Sequence, residues 1–205
     1  MFAASRRERH AGRVRYPDLP AIRMPPLIRL VKKDARRAEM KTRLLAMSVQ
    51  SRCEASERIC RAIENTHAWQ QATLVCAFLP LPSEPQIQPL WDLASGPAFC
   101  FPRVRGLEME LIRINDRAHL AAADWKLAAF SDATIVAPES VDLILVPGLA
   151  FTRDGHRLGR GRGYYDRLLA RLPRTASIGV CYECQLVEDL PTEAHDMRVD
   201  EVVSG

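Results

Sequence analysis

The most informative part of this chain is the stretch of residues 141–172, VDLILVPGLAFTRDGHRLGRGRGYYDRLLARL. It begins with a short apolar run, 143–146, which is closed by Pro147 and Gly148. Such a run, rich in branched residues, predicts a strand that is buried on both faces. Further on, four apolar residues recur at the spacing of one helix face, namely Tyr165, Leu168, Leu169 and Leu172. The stretch therefore predicts a buried strand, a glycine-rich loop and an amphipathic helix.

The loop of this stretch combines glycines with arginines. Its glycines are Gly155, Gly159, Gly161 and Gly163, and its arginines are Arg157, Arg160 and Arg162. Glycines let the backbone approach a ligand closely, and the start of a helix favours anions through its free N–H groups and its dipole. Arginines add bidentate contacts to phosphate. Because ligands of open α/β sheets bind at the carboxyl ends of strands, the loop predicts a polyphosphate site.

Two other interpretations of this loop stay open. It has neither the Walker motif G-x-x-x-x-G-K-[ST] nor the dinucleotide motif G-x-G-x-x-G, and a flexible surface loop with solvated arginines would have the same composition. An arginine–glycine segment that binds nucleic acid is the second alternative. Such segments run as low-complexity repeats, however, and this one is a single copy between a strand and a helix.

The first turn of the predicted helix carries two tyrosines and an acid. Asp166 can stabilise the helix dipole, which is worth up to about 1 kcal/mol, or it can hold Mg²⁺ beside a bound triphosphate. Tyr165 belongs to the apolar face of the helix, so we expect it in the core. Tyr164 points about 100° away from it and can face a ligand.

The stretch resembles a known family signature. Residues 147–151, Gly155 and residues 157–166 are similar to the motif of the 5-formyltetrahydrofolate cyclo-ligases, also called methenyltetrahydrofolate synthetases. Strands alternate with helices and no repeat is visible, which predicts one three-layer α/β/α domain. The resemblance implies a Rossmann-like sheet of the sugar-phosphate-isomerase/CoA-transferase type. It also implies catalytic roles for Arg157, Arg160 and Arg162, and ATP binding by these and by Leu158, Gly159, Gly161, Gly163, Tyr164 and Tyr165.

An early basic helix is predicted over residues 27–47. Lys33 and Arg37 are four residues apart on it, so both can reach one ligand from one side. A solvated basic face is the alternative. The resemblance implies that this Lys-x-x-x-Arg pair contributes to ATP binding. Ser48 is expected to cap a second helix that runs to about Asn65.

The folate-binding side is assigned by resemblance alone. We expect strands over residues 73–79 and 98–101, the second ended by Pro102, and a further alternating strand over residues 109–114. The resemblance implies that folate is contacted by Leu79, Glu84, Met109 and Tyr164. A solvated loop glutamate and an ordinary core methionine are the alternatives for the middle two.

The closing part of the chain supplies a second candidate metal ligand. A buried strand is predicted over residues 176–181, and a motif containing Asp196 follows it. The resemblance implies that Asp196 and Asp166 hold the Mg²⁺ that accompanies ATP. Asp196 could equally cap a turn.

Composition bounds the class of protein. Apolar residues make up 47% and charged residues 26% of the 205, which is ordinary for a globular domain. No apolar run approaches the ~20 residues of a membrane span. The net charge of +4 arises within residues 1–25, which contain six arginines against two acids. The neutral remainder argues against nucleic acid as a partner.

The six cysteines are expected to be reduced thiols, mostly buried, in a cytoplasmic protein. Cys181 and Cys184 form a single C-x-x-C pair, so a zinc site is not expected. Residues 1–26 are predicted to be a disordered basic extension, and residues 27–205 the domain. A true start at Met24 and an organelle presequence are other interpretations of the extension.

Three positions depart from the family pattern on its folate side: Val104, Ala137 and Thr152. The resemblance implies ATP-dependent cyclisation of 5-formyltetrahydrofolate by a monomer or weak homodimer, with small-molecule substrates only. The departures keep a second hypothesis open, a non-catalytic paralogue that binds folate or nucleotide. A sugar-phosphate enzyme of the same fold is less favoured, because no acid/base cluster for opening a sugar is visible.

Overall fold

The computed structural model describes residues 26–92, 96–113 and 133–205, with the backbone alone at 26–31 and 92. The predicted extension lies almost wholly outside the described residues. The helices are α1 (Pro26–Ala46), α2 (Val49–Glu64), α3 (His67–Gln71) and α4 (Tyr164–Arg171). The strands are β1 (Leu74–Cys76), β2 (Ala98–Arg105), β3 (Glu108–Arg113), β4 (Thr134–Val136), β5 (Leu143–Pro147), β6 (Ala150–Phe151), β7 (Arg157–Leu158), β8 (Ala176–Cys181) and β9 (Glu201–Ser204).

Seven of the strands form one sheet in the order β4-β3-β2-β1-β5-β8-β9. Strands β2, β1, β5, β8 and β9 run parallel, whereas β3 pairs antiparallel with β2, and β4 pairs antiparallel with β3. The apolar run 143–146 is fully buried in β5, between β1 and β8, as its sequence predicts. The α/β class is confirmed.

Helices pack on both faces of the sheet. Leu143 and Leu145 belong to a core cluster with Ile59 of α2, while Ile144 and Val146 belong to a second cluster with Leu168 of α4. This alternation follows from the two-residue period of a strand, which sends successive side chains to opposite faces. It explains why β5 reads as a continuous apolar run.

Local predictions differ from the structure at three places. Strand β1 is shorter than residues 73–79, ending at Cys76. Strand β2 continues through Pro102 instead of ending there. Its pairing with β1 stops at Cys100, so Pro102 lies where β2 is bonded only to β3 and a missing N–H is tolerated. The hairpin β6–β7 was not predicted at all.

The two main helices agree closely with expectation. Helix α1 ends at Ala46, one residue before the predicted end. Ser48 caps α2, with its side chain accepting a hydrogen bond from the backbone N–H of Ser51.

Within the described parts of the chain, no helix combines the length and apolar character needed to cross a bilayer.

All six cysteines are free. Burial raises the pKa of the Cys60 thiol to about 11 and that of Cys181 to about 12, which keeps both protonated near neutral pH. Cys53 is exposed and Cys184 is partly buried, so the expectation of mostly buried thiols holds for the other four.

Candidate active site

A cleft of about 1030 Å³ opens at the carboxyl ends of β1 and β5. It is the place where open α/β sheets bind ligands. Every residue assigned to a site from the sequence lines it: Lys33, Arg37, Leu79, Glu84, Met109, Arg157, Leu158, Gly159, Arg160, Gly161, Arg162, Gly163, Tyr164, Tyr165, Asp166 and Asp196. Their individual roles stay predictions.

The glycines of the loop have different tasks. Gly155 lies in the turn of the β6–β7 hairpin at φ +92°, and a Cβ there would come within 2.1 Å of the carbonyl oxygen of Val199. It therefore serves close packing against the C-terminal segment and is not among the residues lining the cleft. Gly161 and Gly163, at φ +100° and +65°, give the loop its shape before α4.

Arg157 is almost wholly enclosed, with 3% of its side chain exposed. Its Nη2 donates to Oδ1 of Asp166 at 2.7 Å, and its guanidinium lies 5.7 Å from the ring centroid of Tyr165. A Cβ on Gly148 or on Gly159 would press against this side chain, at 3.1 and 2.9 Å. The structure thus places Arg157 beneath the loop as the partner of Asp166, whereas the sequence predicts a direct phosphate contact.

Arg160 and Arg162 are exposed, as expected for ligand-free phosphate contacts. Arg160 donates to Oε1 of Glu84 from Nη2 at 2.8 Å and from Nε at 3.2 Å. The guanidinium of Arg162 makes no hydrogen bond or ion pair with any other described residue. The two arginines of this loop therefore differ: Arg160 is paired with a carboxylate, and the guanidinium of Arg162 is not paired within the described residues.

Glu84 is buried, which excludes the alternative of a solvated loop glutamate. Its Oε2 accepts from the backbone N–H of Leu81 at 3.0 Å, and its own carbonyl oxygen accepts from the hydroxyl of Tyr182 at 2.9 Å. Tyr182 is itself fully buried beside Ser56. The loop that carries Glu84 is therefore fixed from below by residues that no local sequence signal identified.

Lys33 is held by the C-terminal segment. Its Nζ lies 2.8 Å from Oε2 of Glu193 and 2.7 Å from Oδ2 of Asp196, and only 6% of its side chain is exposed. The alternative of a solvated basic face is wrong for this residue. Glu193 and the exposed His195 also line the cleft, and both were missed. Their nearness to Asp196 in the run EAHD was the only available signal.

Arg37 braces the glycine loop from α1. Its Nε donates to the carbonyl oxygen of Gly159 at 3.1 Å, and a Cβ on Gly161 would lie 3.5 Å from its guanidinium carbon. Its Nη1 also pairs with Asp34 at 2.5 Å. The i, i+4 spacing of Lys33 and Arg37 brings both into the cleft, but each already has a partner.

The two tyrosines both line the cleft. The hydroxyl of Tyr164 donates to the carbonyl oxygen of Gly106 at 3.4 Å, in the turn between β2 and β3. Tyr165 packs against the core, as predicted, and burial raises the pKa of its hydroxyl well above the usual value. Tyr165 therefore remains a neutral hydrogen-bonding group at physiological pH.

The two predicted metal ligands differ in their free oxygens. Oδ1 of Asp166 accepts from Arg157 and, at 3.2 Å, from the backbone N–H of Met197, while Oδ2 has no hydrogen bond within the described chain. Both oxygens of Asp196 accept from Lys33, and Oδ2 also accepts from the backbone N–H of Glu193 at 2.6 Å. A free carboxylate oxygen facing a cleft fits Mg²⁺, so Asp166 fits better than Asp196.

The departures from the family pattern bear unequally on the cleft. Val104 lines it, but Thr152 and Ala137 do not. Thr152 is buried and its hydroxyl bonds Asp154 and the N–H of His156 in the hairpin turn. Ala137 precedes a short 3₁₀ turn, residues 138–140. Two of the three departures therefore lie outside the candidate site.

Known proteins match this chain over most of its length. A mouse protein named 5-formyltetrahydrofolate cyclo-ligase is 28% identical over 183 residues, covering 82% of this chain and 90% of that protein. A protein of the same name from Mycolicibacterium smegmatis is 36% identical over 140 residues, covering 63% of this chain and 72% of that protein.

A solved structure shares the fold. The NMR structure of Aquifex aeolicus 5,10-methenyltetrahydrofolate synthetase superposes with a TM-score of 0.72 at 31% identity, covering 84% of this chain and 89% of that one. The model of the 5-formyltetrahydrofolate cyclo-ligase family matches residues 29–205, a range that includes every residue of the cleft. This chain belongs to the 5-formyltetrahydrofolate cyclo-ligase family.

Proposed function

We propose that this protein catalyses the ATP-dependent cyclisation of 5-formyltetrahydrofolate to 5,10-methenyltetrahydrofolate, giving ADP and phosphate. The observation that carries the proposal is that residues from five parts of the chain line one cleft. These parts lie within residues 33–41, 78–84, 102–109, 147–166 and 193–196. The volume of the cleft, about 1030 Å³, lies just above the roughly 300–1,000 Å³ that is usual for ligand pockets. Such a volume supports binding of two substrates side by side.

The cleft has two chemically distinct sides. Cationic side chains and glycines surround the start of α4, where the nucleotide is assigned: Lys33, Arg37, Arg160, Arg162, Gly159, Gly161 and Gly163. Apolar groups and one carboxylate form the adjoining part of the lining, where the folate is assigned: Leu79, Glu84 and Met109, with Tyr164 at the start of α4 bordering both sets. A triphosphate suits the first set, and a flat heterocycle with N–H donors suits the second.

The reaction needs no nucleophile from the protein. The formyl oxygen of the folate attacks the γ-phosphorus, and the bond from that phosphorus to the β-γ bridging oxygen breaks to release ADP. The N10 amine then attacks the activated formyl carbon and loses its proton, and phosphate leaves with the former formyl oxygen. The protein's tasks are to align the two substrates and to neutralise the charge on the phosphates.

The arginines divide these tasks by their exposure. Arg160 and Arg162 are open to the cleft and can contact the transferring phosphoryl group. Arg157 is enclosed and acts through Asp166, so we assign it a positioning role in place of a direct one. Lys33 can turn to a phosphate only by leaving Glu193 and Asp196.

Mg²⁺, when bound with ATP, supplies further charge neutralisation at the phosphates. Asp166 would hold it through Oδ2, the carboxylate oxygen that Arg157 leaves free. Asp196 could contribute only if Lys33 moved to another anion. Both assignments remain part of the proposal, as do a cytoplasmic location and a monomeric or weakly dimeric state.

The test is absorbance at the methenyl-folate band after mixing the full chain with 5-formyltetrahydrofolate and MgATP. We expect product that depends on both substrates, with one ADP for each methenyl group formed. Binding of both ligands without product would favour the non-catalytic paralogue. Of the departures behind that alternative, only Val104 faces the cleft, so the enzyme is the better supported reading.

A further inference from the structure

The contact between Arg160 and Glu84 joins the two sides of the cleft. We propose that this ion pair couples the two substrates: a polyphosphate that takes the guanidinium of Arg160 releases the carboxylate of Glu84 for the N–H donors of a reduced pterin. The inference rests on the proposed function, which assigns the nucleotide and the folate to these sides. Arg160 then acts as a positioning residue for the folate as well as a phosphate contact.

Three of the roughly four acceptor positions of the Glu84 carboxylate are occupied, including both on Oε1. Oε1 receives two hydrogen bonds from Arg160, at 2.8 and 3.2 Å, and Oε2 receives one from the backbone N–H of Leu81 at 3.0 Å. Only 6% of the glutamate side chain is exposed. An incoming N–H donor must therefore compete with the guanidinium for Oε1.

Arg160 is free to leave this contact. Its side chain is 40% exposed, and its remaining hydrogen bond, to Oγ of Ser83, is long at 3.4 Å. Solvent reaches the guanidinium and weakens its attraction to the carboxylate, whereas bidentate contacts between a guanidinium and phosphate are among the strong charge-assisted bonds. A bound polyphosphate therefore competes well for the arginine.

Glu84 cannot follow Arg160 when it moves. The carbonyl oxygen of Glu84 is bonded to the buried hydroxyl of Tyr182 at 2.9 Å, and Oε2 is bonded within its own turn. Its carboxylate would be left nearly buried without its cation, which is unfavourable. A folate that brings N–H donors relieves this, so nucleotide binding should strengthen folate binding.

Coupling of this kind is reciprocal, and such couplings typically amount to about 5–150-fold in affinity. The measurement is calorimetric titration of 5-formyltetrahydrofolate into the full chain, with and without saturating Mg²⁺ and a non-hydrolysable ATP analogue. We expect the nucleotide analogue to raise folate affinity about fivefold or more in the wild type.

Arg160→Ala separates coupling from simple phosphate binding. In this variant Glu84 is released permanently, so folate affinity should no longer respond to saturating nucleotide analogue. Without nucleotide it should equal or exceed that of the wild type. Arg162→Ala is the matched control, because it removes a neighbouring arginine that does not contact Glu84. It should weaken nucleotide binding yet keep the response of the folate.

Several outcomes overturn the coupling. It fails if Arg160→Ala retains the wild-type response, if Arg162→Ala loses the response equally, or if the wild type shows none. In each case methenyl product formed by the wild type would leave the proposed function standing. A wild type that binds neither ligand would overturn the proposed function and the coupling together.

Discussion

Arg157 and Arg160 are three residues apart, and each forms an ion pair with a carboxylate of the cleft. The separations are nearly equal, 2.7 Å to Asp166 and 2.8 Å to Glu84, but 3% of the first arginine side chain is exposed against 40% of the second. An arginine removed from a buried pair leaves an uncompensated charge, whereas an exposed arginine can exchange its partner for water or a ligand. Burial therefore distinguishes an arginine that builds the site from one that can serve a substrate.

The backbone explains the difference. Arg157 lies in β7, where the hairpin directs its side chain under the loop, into space that Gly148 and Gly159 leave open. Arg160 lies beyond the strand, in the loop that leads to α4. Both arginines lie next to the glycines of the loop and look alike in sequence, although only Arg157 lies within a regular element, the strand β7.

The largest effect is expected for Arg157→Met, which keeps much of the side-chain volume and removes the charge. We expect the free energy of unfolding to fall by about 3 kcal/mol, the lower end of the range for breaking a buried pair, since Asp166 is 17% exposed. Turnover should also be lost, because Asp166 is no longer oriented. Thermal denaturation is the measurement, and each kcal/mol corresponds to about 2–4 °C for a domain of this size.

Arg162→Met is the matched control for that experiment. It makes the same chemical change at an exposed position, so its stability should stay within about 0.5 kcal/mol of the wild type. Equal melting temperatures for the two variants would contradict the contrast between buried and exposed arginines.

Asp166→Asn should act on both turnover and stability. Turnover is expected to fall at least about a hundredfold, the scale for losing one preorganised electrostatic group. The helix-dipole role inferred from sequence would cost only up to about 1 kcal/mol, but the structure pairs Asp166 with a buried guanidinium. A loss of about 1.5–3 kcal/mol is therefore expected. Turnover that is unchanged at saturating Mg²⁺ would leave Asp166 a structural role only.

Arg162→Ala should weaken nucleotide binding by about ten- to a hundredfold while folding normally, as the loss of charged hydrogen bonds implies. Sequence alone predicts the same for Arg160→Ala, with folate binding unaffected in both variants. Because Arg160 contacts Glu84, we instead expect folate binding to change in Arg160→Ala and to stay unchanged in Arg162→Ala. Titration of the ATP analogue at two salt concentrations would check it, because the variant should be less salt-sensitive. If Arg162→Ala bound the ATP analogue as tightly as the wild type, Arg162 would be a solvated loop residue without a role in nucleotide binding.

Features with a local signal were predictable. The strand β8 has its predicted bounds, 176–181, and the apolar run 143–146 lies in β5, because buried apolar runs are read directly from sequence. The cap of α2 was also predictable, because serine is a common residue at the start of a helix and Ser48 stands directly before this one. The hairpin β6–β7 could not be predicted, because each of its strands has two residues, too few to show the alternation of apolar and polar residues that marks a strand.

The ion pairs of the site could not be predicted. Lys33 and Asp196 are 163 residues apart, and Glu84 and Arg160 are 76 apart, so no spacing rule links their side chains. The family resemblance identified many of the residues that meet in the cleft, although not Glu193 or His195. It did not identify which of them neutralise each other, since that depends on the depth of each side chain in the fold.

The smallest effect is expected for the Arg160–Glu84 pair in the absence of ligand. A double-mutant cycle with Arg160→Ala and Glu84→Gln should give a coupling energy of about 1 kcal/mol, the upper end of the range for exposed pairs, because the Arg160 side chain is 40% exposed although that of Glu84 is only 6% exposed. This coupling energy should decrease in 1 M salt, where the screening length falls to about 3 Å. A double-mutant cycle on Arg157 and Asp166 should give a larger coupling energy that depends less on salt, because that arginine is buried. Denaturant unfolding of the variants measures both. A coupling above about 2 kcal/mol for Arg160 and Glu84 would mean that the pair is too strong for a phosphate to open readily, and the distinction between the two arginines would fail.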